Sequence, residues 1–483
     1  MGHSLPELVC YIQPSKGAPS MTTLAASTDL RSFLDRHRAH LLWIKKPVPL
    51  SAVGALTAQA DKTIVFQNIE GHSIPVIDQL FVDRAAQARV LGCAPSDVLQ
   101  TMHRALRRGP KPLRVVPDAP CKERKILGND VDLSALPIVV HTDKDPYPYT
   151  TSFVVHRNPK TEMFNAMFPR CGVLSRNEMV ASFVTPTAVR ILGEHRQAGT
   201  PMPQSIVIGV HPAWELAAAY NYTHEEWWEL ELFESLTGEV GELVKCETND
   251  LLVPADANIV IEGFVDPVAT AQDGPSPGPT MLFTPWASQQ PVFRVTAITM
   301  RKDPIYRNHL MTPFTDHQEL PRLWQEAILY ERIKGMGIRL IDLAYPQGGA
   351  AMCLVMQIDP TQEGQATDAI LAAMGSFMNT KFVIAVDPDV DIYDYRDVMY
   401  ALSTRVDPAR DVIIVPNTRG WMFDPRAKPE IGAMPNSAET RYPAVASRWG
   451  INATKPPRYR AERKDYERAW PIGMRELRLE DYL

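Results

Sequence analysis

The order of apolar patterns along the chain constrains its fold most strongly, because helix and strand patterns alternate at both ends while short β-like runs fill the middle. Residues 29–42 place apolar side chains on a helical period and then become extended before Pro47. Past Asp130 the apolar runs are short and separated by prolines, which predicts a compact β-barrel or sandwich with helical insertions. From about Leu320 the helix and strand patterns return, which predicts a second α/β region.

Individual elements follow from the same patterns. The first region predicts a short buried strand at residues 63–67, another apolar segment at 74–77 and a helix at 83–91. The last region predicts a helix after residue 320, then a strand, a helix and a strand at 351–358, 366–378 and 382–386. The middle predicts strands at 149–156, 162–168, 205–210, 243–245, 258–265 and 292–300.

Composition excludes several classes of protein. A chain of 483 residues with 45% hydrophobic and 22% charged residues can form two or three domains with real cores. The net charge is −6 and basic residues are interleaved with acidic ones, so no nucleic-acid partner is expected. No apolar run approaches the roughly 20 residues that span a bilayer. The six cysteines have no C-x-x-C spacing, so we expect neither a zinc ribbon nor a disulfide framework, and a reducing cytoplasm is the expected location.

Familiar catalytic motifs are missing from the sequence. It contains no G-x-G-x-x-G after a strand, no Walker loop, no H-E-x-x-H and no G-x-S-x-G. A Ser-His-Asp triad stays open, because only the fold brings its members together. Residues 1–21 lack a secretory signal and are expected to form a flexible extension, with Met21 as an alternative start.

The segment at residues 242–255, ELVKCETNDLLVPA, places charged and polar residues between apolar ones. The next segment, 258–265, predicts a strand entered through a turn, so Glu242 is expected on one strand of a hairpin-like pair. Two interpretations remain open for Glu242. It is either an oxygen ligand in a pocket or a surface carboxylate on an edge strand.

Read together, several separated segments resemble the UbiD family of decarboxylases, which use prenylated FMN. The resemblance covers nearly the whole chain from Asp29 onward. It is carried by DLRSFLDR and the following IKKPV, by IVFQNIEGHSIPVIDQLF (64–81), by CKERKILGNDVDLSALPIVVH (121–141), by ELVKCETNDLLVPADANIVIEGFV (242–265), by DVMYALSTRVDPARDV (397–412) and by WGINATKP (449–456).

The resemblance implies a subunit in three parts. An N-terminal α/β domain (22–127) would precede a central split β-barrel that is flavin-reductase-like and binds prenylated FMN (128–310). A C-terminal α/β domain (311–483) would follow, with a tail that helps to build a homodimer or a larger homo-oligomer. A flavin prenyltransferase would supply the cofactor, which acts as the electron sink when CO2 leaves an sp² carbon.

The resemblance also implies roles for particular residues. Asn165 and Arg170, in NAMFPR, match the metal-contacting Asn and the catalytic Arg of the family, and Arg170 would also border the cofactor. An Arg can hold a substrate carboxylate in a fork, although a structural ion pair is the alternative. Glu242 matches the glutamate near the metal and the cofactor phosphate. Oxygen ligands favour Mn²⁺ or Mg²⁺, and K⁺ is a further candidate.

Two positions depart from the family pattern. Thr187 falls where the family usually has a metal-binding histidine, so it is assigned to the cofactor site but not to the metal, and His195 is expected to have a core or surface role instead. In the loop DGPSPG the first of two family acids is Asp273, but the second position, the usual proton donor, is Gly278. The proton could then come from Asp273, His309, His317 or a water held by Thr280.

Further residues are placed near the cofactor by the same resemblance. Arg448 falls where the family commonly has a basic residue on the cofactor phosphate, and a solvated loop charge is its alternative. Lys245 could also lie near the phosphate. The segments at 345–352 and 421–430 are expected to line the substrate pocket.

Three hypotheses about function follow. The first is a prenylated-FMN-dependent decarboxylase, or reversible carboxylase, of an aromatic, heteroaromatic or α,β-unsaturated acid, including a phenolic acid or an aryl-CoA thioester. Arg170 and Asp273 would be its catalytic residues. The second, supported by Thr187 and Gly278, is a catalytically impaired paralogue that binds flavin or serves as a structural subunit of a carboxylase complex. A conventional flavin oxidoreductase is the third, and no residue pattern favours it.

Overall fold

A computed structural model describes residues 29–183, 185–220, 227–275, 277–283, 288–421, 423–429, 444–474 and 477–482, so the predicted extension at 1–21 lies outside the described residues. The helices are α1 (Leu30–Arg36), α2 (Leu50–Thr57), α3 (Arg84–Leu91), α4 (Val98–Arg108), α5 (Pro186–Ala198), α6 (Pro212–Ala218), α7 (Phe233–Thr237), α8 (Glu319–Gly335), α9 (Gln365–Ser376), α10 (Tyr395–Arg405) and α11 (Pro408–Asp411).

Within the described residues, the strands belong to four separate sheets. They are β1 (Leu42–Ile44), β2 (Ile64–Phe66), β3 (Val76–Asp78), β4 (Arg114–Val116), β5 (Arg124–Leu127), β6 (Tyr149–Thr150), β7 (Val154–Arg157), β8 (Phe164–Met167), β9 (Cys171–Ser175), β10 (Glu178–Ala181), β11 (Met202–Ile208), β12 (Glu242–Lys245), β13 (Leu252–Pro254), β14 (Ile259–Asp273), β15 (Ser288–Met300), β16 (Tyr306–Arg307), β17 (Leu340–Ala344), β18 (Cys353–Ile358), β19 (Phe382–Val386), β20 (Val412–Arg419), β21 (Lys428–Pro429) and β22 (Ala444–Ala453).

The N-terminal part confirms the predicted mixture of helix and strand. The Asp29 carboxylate accepts from the amide of Ser32 and begins α1, and Asp83 begins α3 by accepting from the amide of Ala86. Strands β1, β2, β3 and β16 form one sheet in that order. Since β16 comes from residues 306–307, the end of the β-rich middle returns to this sheet.

The middle of the chain forms a nine-stranded sheet, ordered β6-β9-β10-β15-β14-β11-β7-β8, with β5 paired to β15. Its strand pairs are antiparallel, and all six predicted strand regions of the middle contain strands of the structure. The sheet is not a closed barrel in the described residues, because β6 and β8 end its path. The split barrel is therefore not confirmed. The predicted domain boundary at residue 127 falls at the end of β5, a strand of this sheet.

The C-terminal part is a second α/β unit, as predicted. Strand β18, helix α9 and strand β19 follow one another, and the two strands pair in parallel. The sheet order is β17-β18-β19-β22-β20, with β21 paired to β22. Helix α8 packs Leu323, Trp324 and Ala327 into a core shared with the N-terminal part, which joins the two units. No helix of the described residues is long and apolar enough to cross a membrane.

Residues 242–254 form a hairpin in a small sheet of their own, ordered β13-β12-β4. Glu242 begins one strand of this hairpin, as predicted, but the partner strand is β13 and not the segment at 258–265. That segment belongs to β14 in the nine-stranded sheet. Glu242 and Asn165 therefore lie in different sheets.

Candidate functional site

A cavity of about 1330 Å³ opens between the nine-stranded sheet and the C-terminal unit. Its wall combines the end of β8, the first turn of α5, the start of α8 and the segment around residues 417–423. Aromatic side chains, including Phe168, Trp421 and Phe423, form much of this wall. A cavity of this size is large enough for a cofactor and a small planar ligand together.

Asn165 and Glu229 lie side by side on the cavity wall. The Asn165 Nδ2 donates to Glu229 Oε1 at 2.7 Å, and the amide of Ala166 donates to Glu229 Oε2 at 2.8 Å. Burial raises the pKa of Glu229 to about 8, against the opposing effect of these hydrogen bonds. The Oδ1 of Asn165 is buried without a hydrogen-bond partner. A hard cation would satisfy both features, because it would ligate the amide oxygen and neutralise the carboxylate.

Thr187 lines the same cavity from the first turn of α5. A hydroxyl here supplies a weaker ligand than the imidazole expected of the family. In the described part of the chain, no three His, Cys, Asp or Glu side chains are grouped to hold a metal ion. The residues present therefore fit a cation with few protein ligands, whose remaining positions water and a phosphate would fill.

The structure does not bring Glu242 or Lys245 to this cavity. Glu242 forms an ion pair with Arg114 on the neighbouring strand β4, and Lys245 pairs with Asp250 at 2.6 Å. The side chains of both residues are exposed, so the surface interpretation of Glu242 describes its place in the fold. Glu229 occupies the position beside Asn165 that sequence reasoning gave to Glu242. The sequence feature that could have pointed to Glu229 is the run ELEL at 229–232, whose first acid follows two tryptophans. Both leucines of this run are buried.

Arg170 and Asp273 are brought together, as the loop pattern predicts. The nearest nitrogen of Arg170 lies 3.7 Å from Asp273 Oδ1 and 3.1 Å from Asp145 Oδ1, and all three side chains are almost fully buried. The guanidinium carbon lies 3.6 Å from the ring centre of Tyr149, whose hydroxyl donates to Asp273 at 2.6 Å. The Nε of Arg170 is buried without a partner.

Asp145 and Tyr149 were missed from sequence. They lie in the polar run HTDKDPYPY at 141–149, directly before a predicted strand, and that run was their only signal. Burial raises the pKa of Tyr149 above its usual value, and the Arg170 charge opposes this. The phenol therefore stays protonated and keeps its hydrogen bond to Asp273.

Gly278 lies against the ring of Phe423. A Cβ atom at residue 278 would lie 2.6 Å from Phe423 Cδ1, far inside van der Waals contact. The hydroxyl of Thr280, in the same loop, donates to the carbonyl oxygen of Phe423 at 3.2 Å. The loop is thus packed against an aromatic wall residue at the position where this chain has Gly278 in place of the family's second acid.

Substitution of Gly278 by alanine is expected to cost about 1–3 kcal/mol of unfolding free energy, because the ring of Phe423 must move. In a Phe423→Ala background the same change should cost almost nothing, and the two effects should couple. Urea unfolding of the four proteins measures this coupling. An equal cost of Gly278→Ala in both backgrounds would contradict the packing described here.

Arg448 lies on β22 next to the cavity wall. Its guanidinium donates to the carbonyls of Arg419 at 2.8 Å and Met378 at 3.5 Å, and both of these residues line the cavity. Burial lowers its pKa, and the Arg419 charge adds to the effect. The phosphate role of Arg448 stays a prediction, now with a position beside the cavity.

The remaining predicted positions divide between the cavity wall and the interior. Ala351 from the segment 345–352 and Trp421 from the segment 421–430 line the cavity, whereas residues 422 and 430 lie outside the described residues. His195 is buried and its Nδ1 contacts the Thr200 hydroxyl at 3.0 Å, which agrees with a core role.

The sequence profiles of two domains match this chain. The 3-octaprenyl-4-hydroxybenzoate carboxy-lyase Rift-related domain (UbiD) matches residues 114–313, and the 3-octaprenyl-4-hydroxybenzoate carboxy-lyase C-terminal domain (UbiD_C) matches residues 320–453. Together with the sheets and cavity described above, these matches define a carboxy-lyase class. The chain belongs to the UbiD family.

Particular relatives span almost the whole chain. The anhydromevalonate phosphate decarboxylase of Methanosarcina mazei is 28% identical over 446 residues, which cover 91% of this chain and 98% of the relative. The UbiD-class enzyme HmfF from Pelotomaculum thermopropionicum, solved in complex with FMN, is 31% identical with a TM-score of 0.85, covering 94% of this chain and 100% of HmfF.

Two further solved structures extend the comparison. An evolved dimeric form of HmfF, solved in complex with prFMN, is 30% identical with a TM-score of 0.82, covering 95% of this chain and 100% of that form. The apo 3,4-dihydroxybenzoic acid decarboxylase from Enterobacter cloacae has a TM-score of 0.83 at 24% identity, covers 92% of this chain and 97% of its own, and shows the shared fold alone.

Proposed function

We propose that this protein is a prenylated-FMN-dependent decarboxylase, or reversible carboxylase, of an aromatic, heteroaromatic or α,β-unsaturated carboxylic acid. One observation carries the proposal. Arg170 lies two residues after Phe168, which lines the cavity. The Arg170 side chain is buried, and its Nε has no hydrogen-bond partner. The Asn165–Glu229 pair, which fits a hard cation, lines the same cavity.

The cofactor assignment rests on the complexes of FMN and prFMN with the HmfF forms described above. Prenylated FMN, when bound, supplies a ring that accepts the electron pair left by departing CO2, which no amino-acid side chain can delocalise. Asn165 and Glu229, with Thr187 close by, would hold a cation such as Mn²⁺ or Mg²⁺ at the anionic tail of the cofactor. Arg448 would add positive charge from the C-terminal side.

The residues of this chain would perform the remaining tasks. Arg170 would orient the substrate carboxylate through its unpartnered Nε. Tyr149 and Asp273 would hold the guanidinium in place through the ring contact and the carboxylate. The aromatic wall would exclude water from the reacting carbon, and the fixed geometry would favour the reactive conformation of the acid.

The impaired-paralogue hypothesis remains the second candidate, because the Phe423 ring occupies the space of the acid that is missing at Gly278. It predicts a protein that binds the cofactor and releases no CO2. The oligomeric assembly and the flavin prenyltransferase that would supply the cofactor belong to the proposal in either case.

A panel of acids separates the two candidates. The protein is produced together with a flavin prenyltransferase, and CO2 release is measured from aryl acids, furoic acids, α,β-unsaturated acids and aryl-CoA thioesters. The decarboxylase proposal expects CO2 release from at least one class. Retained cofactor without CO2 release from any of them would favour the impaired paralogue.

Glu229→Gln is expected to weaken Mn²⁺ binding in the presence of FMN, because it removes the charge that would hold the cation. The loss of affinity should exceed the about 10- to 100-fold that follows loss of a residue hydrogen-bonded to a metal ligand. Glu231→Gln is the matched control, since Glu231 accepts a hydrogen bond from the amide of Trp228, three residues earlier. Calorimetric titration with MnCl2 measures both variants. Equal Mn²⁺ affinity in Glu229→Gln and wild type would remove Glu229 from the site.

A further inference from the structure

Two histidines lie one behind the other at the cavity. His317 lines the wall, and its Nδ1 is buried without a hydrogen-bond partner. The ring of His309 is buried behind it, 6.5 Å from the ring of His317 and 5.4 Å from the ring of the wall residue Phe168. The two histidine rings lie edge to face, with an angle of 77° between their planes.

His309 faces a cluster of buried carboxylates. Its Nε2 lies 3.4 Å from Glu215 Oε1, and the other oxygen of Glu215 lies 3.4 Å from Arg307 Nε. Arg307 also pairs with Asp78 and Asp316, each at 2.8 Å. These five side chains are at most 2% exposed.

The cluster contains more acidic than basic side chains. Three carboxylates face one guanidinium, and an excess of buried negative charge is costly. The His309 ring lies between Glu215 and the ring of His317, where it can relay a proton towards the cavity.

The surroundings of His317 disfavour a positive charge on its ring. Burial lowers its pKa to about 3, and the charges of His309, His141, Arg307 and Arg322 add to this effect. His317 rests as a neutral imidazole. Once it receives a proton, it is a strong acid that gives the proton up readily.

The other candidate proton donors already have hydrogen-bond partners. Asp273 accepts a hydrogen bond from the Tyr149 hydroxyl and faces Arg170. The hydroxyl of Thr280 donates to a backbone carbonyl. His317 is the candidate that combines a place on the cavity wall with an unpartnered nitrogen.

We infer that His317 delivers the proton to the product carbon and that His309, which lies beside Glu215, reloads it. This inference rests on the proposed decarboxylation. The carbon–carboxylate bond breaks, CO2 leaves, and the electron pair that remains forms a C–H bond with a proton from His317. One nitrogen of His317 gives this proton, the other takes one from His309, and water restores His309. No atom is oxidised or reduced beyond the decarboxylation itself.

Substitution of His317 or His309 by glutamine tests the path in the reconstituted holoenzyme. Each variant should lower kcat by about 10²- to 10⁴-fold with little change in KM, as expected for loss of a positioned acid. Added imidazole should restore part of the activity of His317→Ala, because it can occupy the vacated space. His195→Gln is the control, since that histidine contacts Thr200.

The outcomes separate this inference from the proposed function. If the wild type turns over and both histidine variants match it, the proton path is wrong while the decarboxylase stands. If the wild type releases no CO2 from any acid, the proposed function fails and the path fails with it. Cofactor content and urea unfolding show whether each variant is folded, and His317→Asn replaces His317→Gln if the latter is not.

A second readout does not need the cofactor. Nitrogen NMR of the histidine rings in the cofactor-free protein should show the His309 signals displaced in Glu215→Gln, because the Glu215 carboxylate lies 3.4 Å from Nε2 of His309. His309 signals that are identical in the two proteins would overturn the loading step.

Discussion

Replacing Arg170 by lysine should lower kcat/KM by about 10²- to 10³-fold, the usual cost of losing a preorganised donor. Lysine keeps the positive charge between Asp145 and Asp273, so the buried carboxylates stay compensated. Lysine lacks the planar guanidinium, with its unpartnered Nε, that would hold the substrate carboxylate. The measurement is steady-state CO2 release by the holoenzyme with the acid identified on the panel.

Arg294→Lys is the matched control for this prediction. Arg294 lies on β15 of the same sheet, half exposed, and pairs with Glu178 and Asp266. It should retain wild-type activity. Wild-type kcat/KM in Arg170→Lys would remove Arg170 from the reaction and leave it as a structural ion pair.

Replacing Arg307 by methionine should destabilise the protein by about 3–5 kcal/mol at pH 8, because it leaves buried carboxylates without their cation. Arg307 is fully buried between Asp78, Asp316 and Glu215 and joins β16 to the N-terminal sheet. Urea unfolding, followed by fluorescence, measures the loss. The matched control, Arg294→Met, removes a half-exposed pair and should cost at most about 1 kcal/mol.

The loss in Arg307→Met should shrink as the pH falls. Burial already raises the pKa of Asp78 to about 6 in the wild type, against the charge of Arg307, and removal of Arg307 raises it further. A carboxyl with a raised pKa binds its proton in the folded state first, so its folded form gains stability as the pH falls through that pKa. The variant should therefore recover between pH 8 and pH 5. A loss independent of pH would show that the cost comes from packing.

Local patterns in the sequence predicted several of the helices and strands in each of the three regions, because apolar periodicity and caps such as Asp29 act within a few residues. Which strands pair with one another was harder to predict from the sequence. Strand β16 returns to the N-terminal sheet from residue 306, and the hairpin of Glu242 joins β4 across more than 100 residues. Such long-range pairing depends on tertiary packing, which one sequence does not display.

The same distinction applies to the site. Asn165 and Arg170 are close in sequence, and the structure places Asn165 on the cavity wall and Arg170 beside Asp273. Glu229 is 64 residues from Asn165, and only the fold makes them neighbours. The Gly278 position departed from the family pattern in sequence, but the reason, the ring of Phe423, comes from a distant segment.

Exchange of labelled bicarbonate tests the central claim most directly, because the label can enter an acid only if the enzyme breaks and re-forms the carbon–carboxylate bond. Holoprotein is incubated with ¹³C-bicarbonate and the acid found on the panel, and the carboxyl carbon is followed by NMR. We expect label in the carboxyl group with the wild type and very little with Arg170→Lys. Holoprotein that retains prenylated FMN and labels no acid would contradict the account.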